Sequence, residues 1–274
     1  MCSEETGDAG ELFKLRDRLL NLAGKISERY TAHSKIRVVN LLLRHVCERC
    51  IIEILSNPVQ SSREDMFDRV WRNMHSYAVT LFLERLKNEL TSRNISVAVV
   101  SEGECPTGRY DILVTNGRTI QILHDASRKH ISVEFKTGLN IDFTQLEKYL
   151  WNNISLILVR VETGHVVTLR TDEWREFLKS SLKDRICKAE RILEGKTMIV
   201  PGKDCRECPL TTCKFNKCDP NKEEFTKPEN LTRLLENFKE NLYPTIENAV
   251  RAVLAEIDCR TASGDEHLLS NQQR

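Results

Sequence analysis

The spacing of apolar residues changes character several times along the chain. Between residues 11 and 56, Leu, Ile and Val recur every three or four positions, the period of an amphipathic helix. This predicts two helices, the second running through VNLLLRHVCERCIIEIL and ending at Asn57-Pro58. A long helix is expected from Arg63 to Leu90. Phe67, Val70, Met74, Ala78 and Leu81 form one stripe on it, and His75, Val79, Phe82 and Leu86 a second beside it. The period then shortens. Ile95–Val100, Tyr110–Thr115, Thr119–Leu123 and His130–Lys136 read as strands of an antiparallel meander, with Asn116-Gly117 as a two-residue hairpin turn. Asp142 and Gln145 cap a helix that reaches Leu150. Ile154–Val161 and His165–Leu169 are two more strands around Thr163-Gly164, and Asp172 opens a helix to about Leu193. A last helical stretch covers 229–258, where Pro244 is expected to kink it, and 261–274 read as a disordered tail.

This order places the chain in the α/β class, with helices flanking a sheet. Four segments follow from it: an N-terminal helical flank (1–62), a central core (63–175), C-terminal helices with a Cys-rich stretch (176–260) and the tail (261–274). The 274 residues, 40% hydrophobic and 30% charged, suffice for one large domain or a core with an appendage. They exclude a wholly disordered chain and a small disulfide-stapled scaffold. Apolar runs such as Ile95–Val100 and Ile154–Val159 fall far short of the ~20 residues that span a bilayer. The start, MCSEETGDAGEL, is acidic and polar, unlike a secretory signal, so the expected location is the cytoplasm. The net charge of +1 neither requires nor excludes nucleic acid. Ten cysteines say more, because under reducing conditions close Cys pairs point to metal rather than to disulfides.

The chemistry concentrates on two strands. Asp111 lies on one, and Ser132-Val133-Glu134-Phe135-Lys136 ends another. Residues two apart on a strand share a face, ~6.6 Å from each other, so Glu134 and Lys136 project together while Val133 and Phe135 face apolar packing. Two carboxylates from neighbouring strands suit a hard cation such as Mg2+. A lysine at their edge can hold or activate an attacking water and offset phosphate charge. Gln145 and Tyr149, four apart, share a face of the helix that follows.

In their order, these residues resemble the PD-(D/E)xK nuclease superfamily, and within it the RecB-like branch, over roughly residues 63–170. The resemblance implies a restriction-endonuclease-like core. It makes Asp111 and Glu134 the metal-binding carboxylates for Mg2+ or Mn2+, with the Phe135 carbonyl as a further ligand, and Lys136 the catalytic lysine. Gln145 and Tyr149 match the branch's Q-x-x-x-Y motif, which helps hold the site and the DNA. His75 is the candidate for the branch's upstream helix residue near the metal.

Cys205-x2-Cys208-x4-Cys213-x4-Cys218 packs four thiols into fourteen residues. Four thiolates suit either tetrahedral zinc or an iron–sulfur cluster. The run CRECPLTTCKF resembles the C-terminal segment of iron–sulfur nucleases such as AddB and the CRISPR-associated RecB-like exonucleases, which draw a fourth Cys from a helix before the core. That resemblance implies a structural cluster on Cys47, Cys205, Cys208 and Cys213, with Cys218 and Cys50 as alternates and a self-contained zinc knuckle as the other reading. The isolated Cys2, Cys105, Cys187 and Cys259 read as buried apolar residues. Arg109, Arg118, Arg128, Lys129 and Lys148 are candidate phosphate contacts; Tyr149 and Trp151 are candidates for stacking on bases, Trp151 equally for the core.

Together these expectations describe a divalent-metal-dependent DNA nuclease acting on ends or single strands, in CRISPR adaptation or DNA repair, with DNA and the integration or repair proteins of those settings as partners and no membrane. Two alternatives stand beside it: a catalytically inactive nuclease fold that binds DNA or acts as a scaffold, and a structure-selective endonuclease.

Overall fold

The computed structural model describes residues 5–31, 33–44, 47–56, 66–102, 104–115, 130–137, 143–152, 154–197 and 228–262. The protein is α/β, and its contacts group into two compact units between which the chain passes repeatedly. One unit comprises Met1–Arg63, Phe143–Trp151 and Trp174–Phe225; the other comprises Glu64–Asp142, Asn152–Glu173 and Thr226–Arg274.

The first unit is helical: α1 (Glu5–Arg29), α2 (Lys35–Leu43), α3 (Glu48–Ser56), α5 (Phe143–Leu150) and all but the first turn of α6 (Thr171–Leu193). The single helix expected over VNLLLRHVCERCIIEIL is therefore two. Ser34 caps α2 by accepting the Arg37 N–H, and Arg44 leaves helical geometry at ψ 143°. The reason lies in the phase of the apolar residues. On an unbroken helix, Val38, Val39, Leu41, Leu42 and Leu43 would face nearly opposite to Cys50, Ile51, Ile54 and Leu55, whereas the break lets both sets be buried. Polar bonds join the helices: Lys148 Nζ donates to Asn40 Oδ1 at 3.0 Å, Ser181 donates to Glu147, and Arg191 holds Glu48 Oε1 through Nε and Nη2 at 2.9 and 2.6 Å.

The second unit holds a five-stranded mixed sheet in the order β1-β4-β5-β6-β7: β1 (Ala98–Ser101), β4 (Ile112–Thr115), β5 (His130–Lys136), β6 (Ile154–Arg160) and β7 (His165–Arg170). The pair β5·β6 is parallel and the other three pairs are antiparallel. β1, β4 and β5 form an antiparallel meander, but β4 pairs directly with β5 where the sequence pattern puts Thr119–Leu123 between them, and α5 provides the crossover that a parallel neighbour requires. Two helices cover one face, α4 (Met66–Ser92) and α7 (Pro228–Ala262). Met74, Ala78, Phe82, Leu86 and Leu90 of α4 pack there with Ile131, Val133 and Phe135 of β5, Ile157 and Val159 of β6, and Phe238, Leu242, Ile246 and Val253 of α7. The two α4 stripes read from the sequence thus contribute one buried row, drawn partly from each.

Three further differences are local. A two-stranded hairpin, β2 (Glu104–Cys105) with β3 (Gly108–Arg109), precedes Asp111; two-residue strands carry no period that a sequence can reveal. The helix α7 runs through Pro244 as one element. The expected strand Thr119–Leu123, the Cys205–Cys218 stretch and the tail from 263 lie outside the described residues. No helix among the described residues is long and apolar enough to cross a membrane.

Candidate active site

The second unit builds its polar site where β4 and β5 meet. The antiparallel register pairs Ile112 with Val133; one step further sets Asp111, in the bend before β4, opposite Glu134. The bend is tied into the sheet on both sides. The Asp111 carbonyl accepts the Glu102 N–H at 2.8 Å, and Asp111 Oδ2 accepts the Phe135 N–H at 2.7 Å. Glu102 reaches that bond at φ 53°, a left-handed conformation unusual for a residue with a side chain. His75 approaches from α4, whose helical phase aims it at the sheet edge. Its Nε2 is 3.2 Å from Asp111 Oδ1, and its ring meets the Phe135 ring edge-on at 6.5 Å.

Alternation along β5 sends Ile131, Val133 and Phe135 into the core and leaves Ser132, Glu134 and Lys136 on the other face. Lys136 Nζ donates to Glu134 Oε1 at 2.7 Å, with Glu134 3% exposed. Burial first, and then the charge of Asp111, push the Glu134 carboxyl up to about 7 against the pull of Lys136 and His75. The hydrogen bond to Asp111 holds the His75 imidazole above its ordinary pKa, with burial opposing it.

A hidden polar cluster supports the bend from behind. Asn152 Nδ2 donates to Tyr110 Oη and to Thr107 Oγ1, both at 2.9 Å, and Cys105 Sγ lies 3.4 Å from Thr107 Oγ1. All four residues are buried. This network fixes the β2–β3 hairpin and the residue immediately before Asp111. Nothing in the sequence distinguished Asn152 or Thr107 from ordinary loop residues.

Four of the six expected catalytic residues, His75, Asp111, Glu134 and Lys136, converge within this unit. Gln145 and Tyr149 belong to α5 in the other unit, where Gln145 Nε2 donates to Tyr149 Oη at 2.8 Å. The four residues stand as two pairs, and among the described residues no three His, Cys, Asp or Glu side chains are gathered around a common point. The donor chemistry fits a hard divalent cation all the same. The charge of Asp111 already raises the cost of ionising the buried Glu134, a penalty that a cation held by oxygen donors relieves.

Other candidates move. Tyr149 and Trp151 are buried, so neither offers a ring face to a base. Lys148 is also buried, with Nζ committed to Asn40 and 5.4 Å from the Tyr149 ring centre, so it is an internal residue rather than a phosphate contact. Arg109 is exposed and lies 3.3 Å from Glu102. Arg118, Arg128 and Lys129 lie outside the described residues. Among the isolated cysteines, Cys105 is buried as expected, but Cys187 and Cys259 are exposed, on the outer sides of α6 and α7. Cys2 lies outside the description. In the first unit Cys47 directly precedes α3 and Cys50 follows one turn later; both are buried and both act electrostatically on Lys188. Their expected co-ligands Cys205, Cys208, Cys213 and Cys218 lie outside the described residues. Comparison with protein-family models, curated proteins and solved structures finds no match to the chain.

Proposed function

We propose that the protein is a divalent-metal-dependent DNA nuclease of the PD-(D/E)xK superfamily, RecB-like branch, with the sheet of the second unit as its restriction-endonuclease-like core. The observation that carries this reading is the placement of Asp111, in the bend before β4 and bonded to the Phe135 N–H, next to Glu134 of β5, with Lys136 Nζ 2.7 Å from Glu134 Oε1. Asp111, Glu134 and the Phe135 carbonyl are the residues to hold Mg2+ or Mn2+, which when bound supplies Lewis acidity toward a phosphodiester. Lys136 orients the attacking water and offsets charge developing on the phosphate. His75 keeps Asp111 oriented through Oδ1, and the Asn152–Tyr110 network holds the backbone that carries it. Gln145 keeps its proposed part in holding the DNA, with the buried Tyr149 hydroxyl as the acceptor that orients it, and Cys47, Cys205, Cys208 and Cys213 keep their proposed iron–sulfur cluster, with zinc as the alternative metal. The two buried thiols at the start of α3 support a metal there. A DNA end or single-stranded portion is the proposed substrate, and CRISPR adaptation or repair the proposed setting.

The test uses the full-length protein, purified anaerobically. End-labelled single- and double-stranded DNA is incubated with Mg2+, Mn2+ or EDTA. Cleavage is expected with either cation and none in EDTA, with a loss of about 10²-fold or more per folded molecule in Lys136→Ala. Absence of cleavage on every substrate returns the chain to a DNA-binding or scaffold role, and full activity in both Lys136→Ala and Asp111→Asn removes the cleavage from this site. A broad visible absorption band supports the cluster, and a colourless protein with stoichiometric zinc replaces it by the knuckle.

A further inference from the structure

Arg160 ends β6, and the parallel register sets it beside Lys136 at the end of β5. Register partners share a face. Arg160 therefore emerges on the side of Glu134 and Lys136, while its neighbour Val159 joins Phe135 in the core. The six residues before it, Ile154–Val159, are all buried; the Arg160 side chain is 22% exposed, so the strand turns polar and accessible only at the end that carries the site. The guanidinium is also held in place. Its Nη2 and Nε lie 2.9 and 3.3 Å from Glu162 Oε1, and Glu162 is 2% exposed. Glu162 itself sits in the short 3-10 turn that follows β6, where its carbonyl accepts from Asn241 Nδ2 at 3.2 Å and Gly164 closes the turn at φ 70°.

We infer that Arg160 binds a phosphate of the nucleic-acid strand next to the scissile linkage, a role that rests on the nuclease reading above. The site has two carboxylates, and a polyanion must be brought against them. Lys136, 2.7 Å from Glu134, is the cation assigned to the water and the scissile phosphate. Arg160 is a second cation, one strand spacing away (about 4.8 Å). Its planar fork matches phosphate oxygens. The buried Glu162 keeps the side chain ordered before substrate arrives, so little rotamer freedom is lost on binding.

The test couples the side chain to one phosphate. Single-stranded and duplex oligonucleotides carry one neutral methylphosphonate linkage at successive positions around the cleavage point. Binding is followed by fluorescence anisotropy in Ca2+, and cleavage in Mg2+, for wild type, Arg160→Ala, Arg160→Lys and Glu162→Gln. At one position, the neutral linkage is expected to weaken wild-type binding about tenfold or more, and Arg160→Ala less than about twofold, because the partner is already gone. Arg160→Lys keeps the charge but loses the fork, and is expected to fall between them; Glu162→Gln is expected to raise KM more than it lowers kcat. Equal sensitivity of wild type and Arg160→Ala at every position overturns the assignment, as does a wild type that binds no DNA. Should Arg160→Ala not fold, the same comparison with Arg160→Lys decides the matter. Positional coupling in binding without any cleavage would keep the Arg160 contact and discard the nuclease reading, so the two failures are distinct.

Discussion

At the scale of single residues, Glu134 concentrates the physics of the site. Its carboxyl is raised to about 7 while an unfolded glutamate titrates near its ordinary value of 4.5. Between these values the folded chain binds a proton that the unfolded chain has released, so stability falls as pH rises through this window. The raised imidazole of His75 works in the same direction: its contribution is complete below the ordinary histidine value and is lost as pH climbs through the folded value. In metal-free buffer the second unit is therefore expected to be stabler at pH 5 than at pH 7.5, by up to roughly 3 kcal/mol from Glu134. Glu134→Gln should flatten the slope and raise stability at pH 7.5, and Mg2+ should raise the melting temperature more at pH 8 than at pH 5.5. Urea denaturation at four pH values checks this; a slope that survives in Glu134→Gln assigns it to other groups. Glu134 and Lys136 were legible in the sequence because strand alternation puts an E-x-K on one face, and Asp111 through its place ahead of them in the order that carries the resemblance. Arg160 and Asn152 were not, because their meaning comes from strand register and from a tertiary hydrogen-bond network, neither of which leaves a local pattern.

At the scale of elements, the site depends on how α4 is seated. Phe82 meets Phe135 edge-on at 5.4 Å, one residue from each of Glu134 and Lys136, and lies on the same buried row as Met74, one residue before His75. Removing that ring leaves a cavity beneath β5. Phe82→Ala is expected to cost about 3–5 kcal/mol and to lower the proposed cleavage beyond the folded fraction lost, since Phe135, whose ring also meets His75, loses its support; Phe82→Leu should recover most of both. Activity per folded molecule, measured below the melting range, separates the two effects. If that activity is unchanged in Phe82→Ala, the packing serves stability alone. The long α4 and the β-branched central strands were readable because burial imposes a period on them, or, for the doubly buried β6, a continuous apolar run. The break between α2 and α3 was hidden because each half has a regular stripe of its own, and only the angle between the stripes forbids one helix.

At the scale of the whole molecule, the chain interleaves two units, and Glu134 of the second and Lys188 of the first respond to pH with opposite signs. In the first unit Lys188 donates to the Arg44 carbonyl at 2.9 Å. Burial, and then the charge of Arg185, pull its ammonium down to about 8, against Glu48 and the thiols of Cys47 and Cys50. Between pH 8 and the ordinary lysine value of 10.5, the unfolded chain holds a proton that the folded chain lacks, so this unit gains stability as pH rises, by roughly 3 kcal/mol at most. Hydropathy could not display this division, because both units draw on segments from each third of the sequence. The three tryptophans can report it. Trp71 packs in the core of the second unit, Trp151 is buried in the first, and Trp174 is exposed on α6. With Trp174→Phe in the background, variants keeping only Trp71 or only Trp151 give one fluorescent probe per unit. The urea midpoint seen by Trp71 should fall between pH 5 and 7.5, and the midpoint seen by Trp151 should rise between pH 8 and 10, the latter change vanishing in Lys188→Met. Coincident midpoints at every pH would mean that the units unfold as one cooperative body, with both groups acting on a single transition.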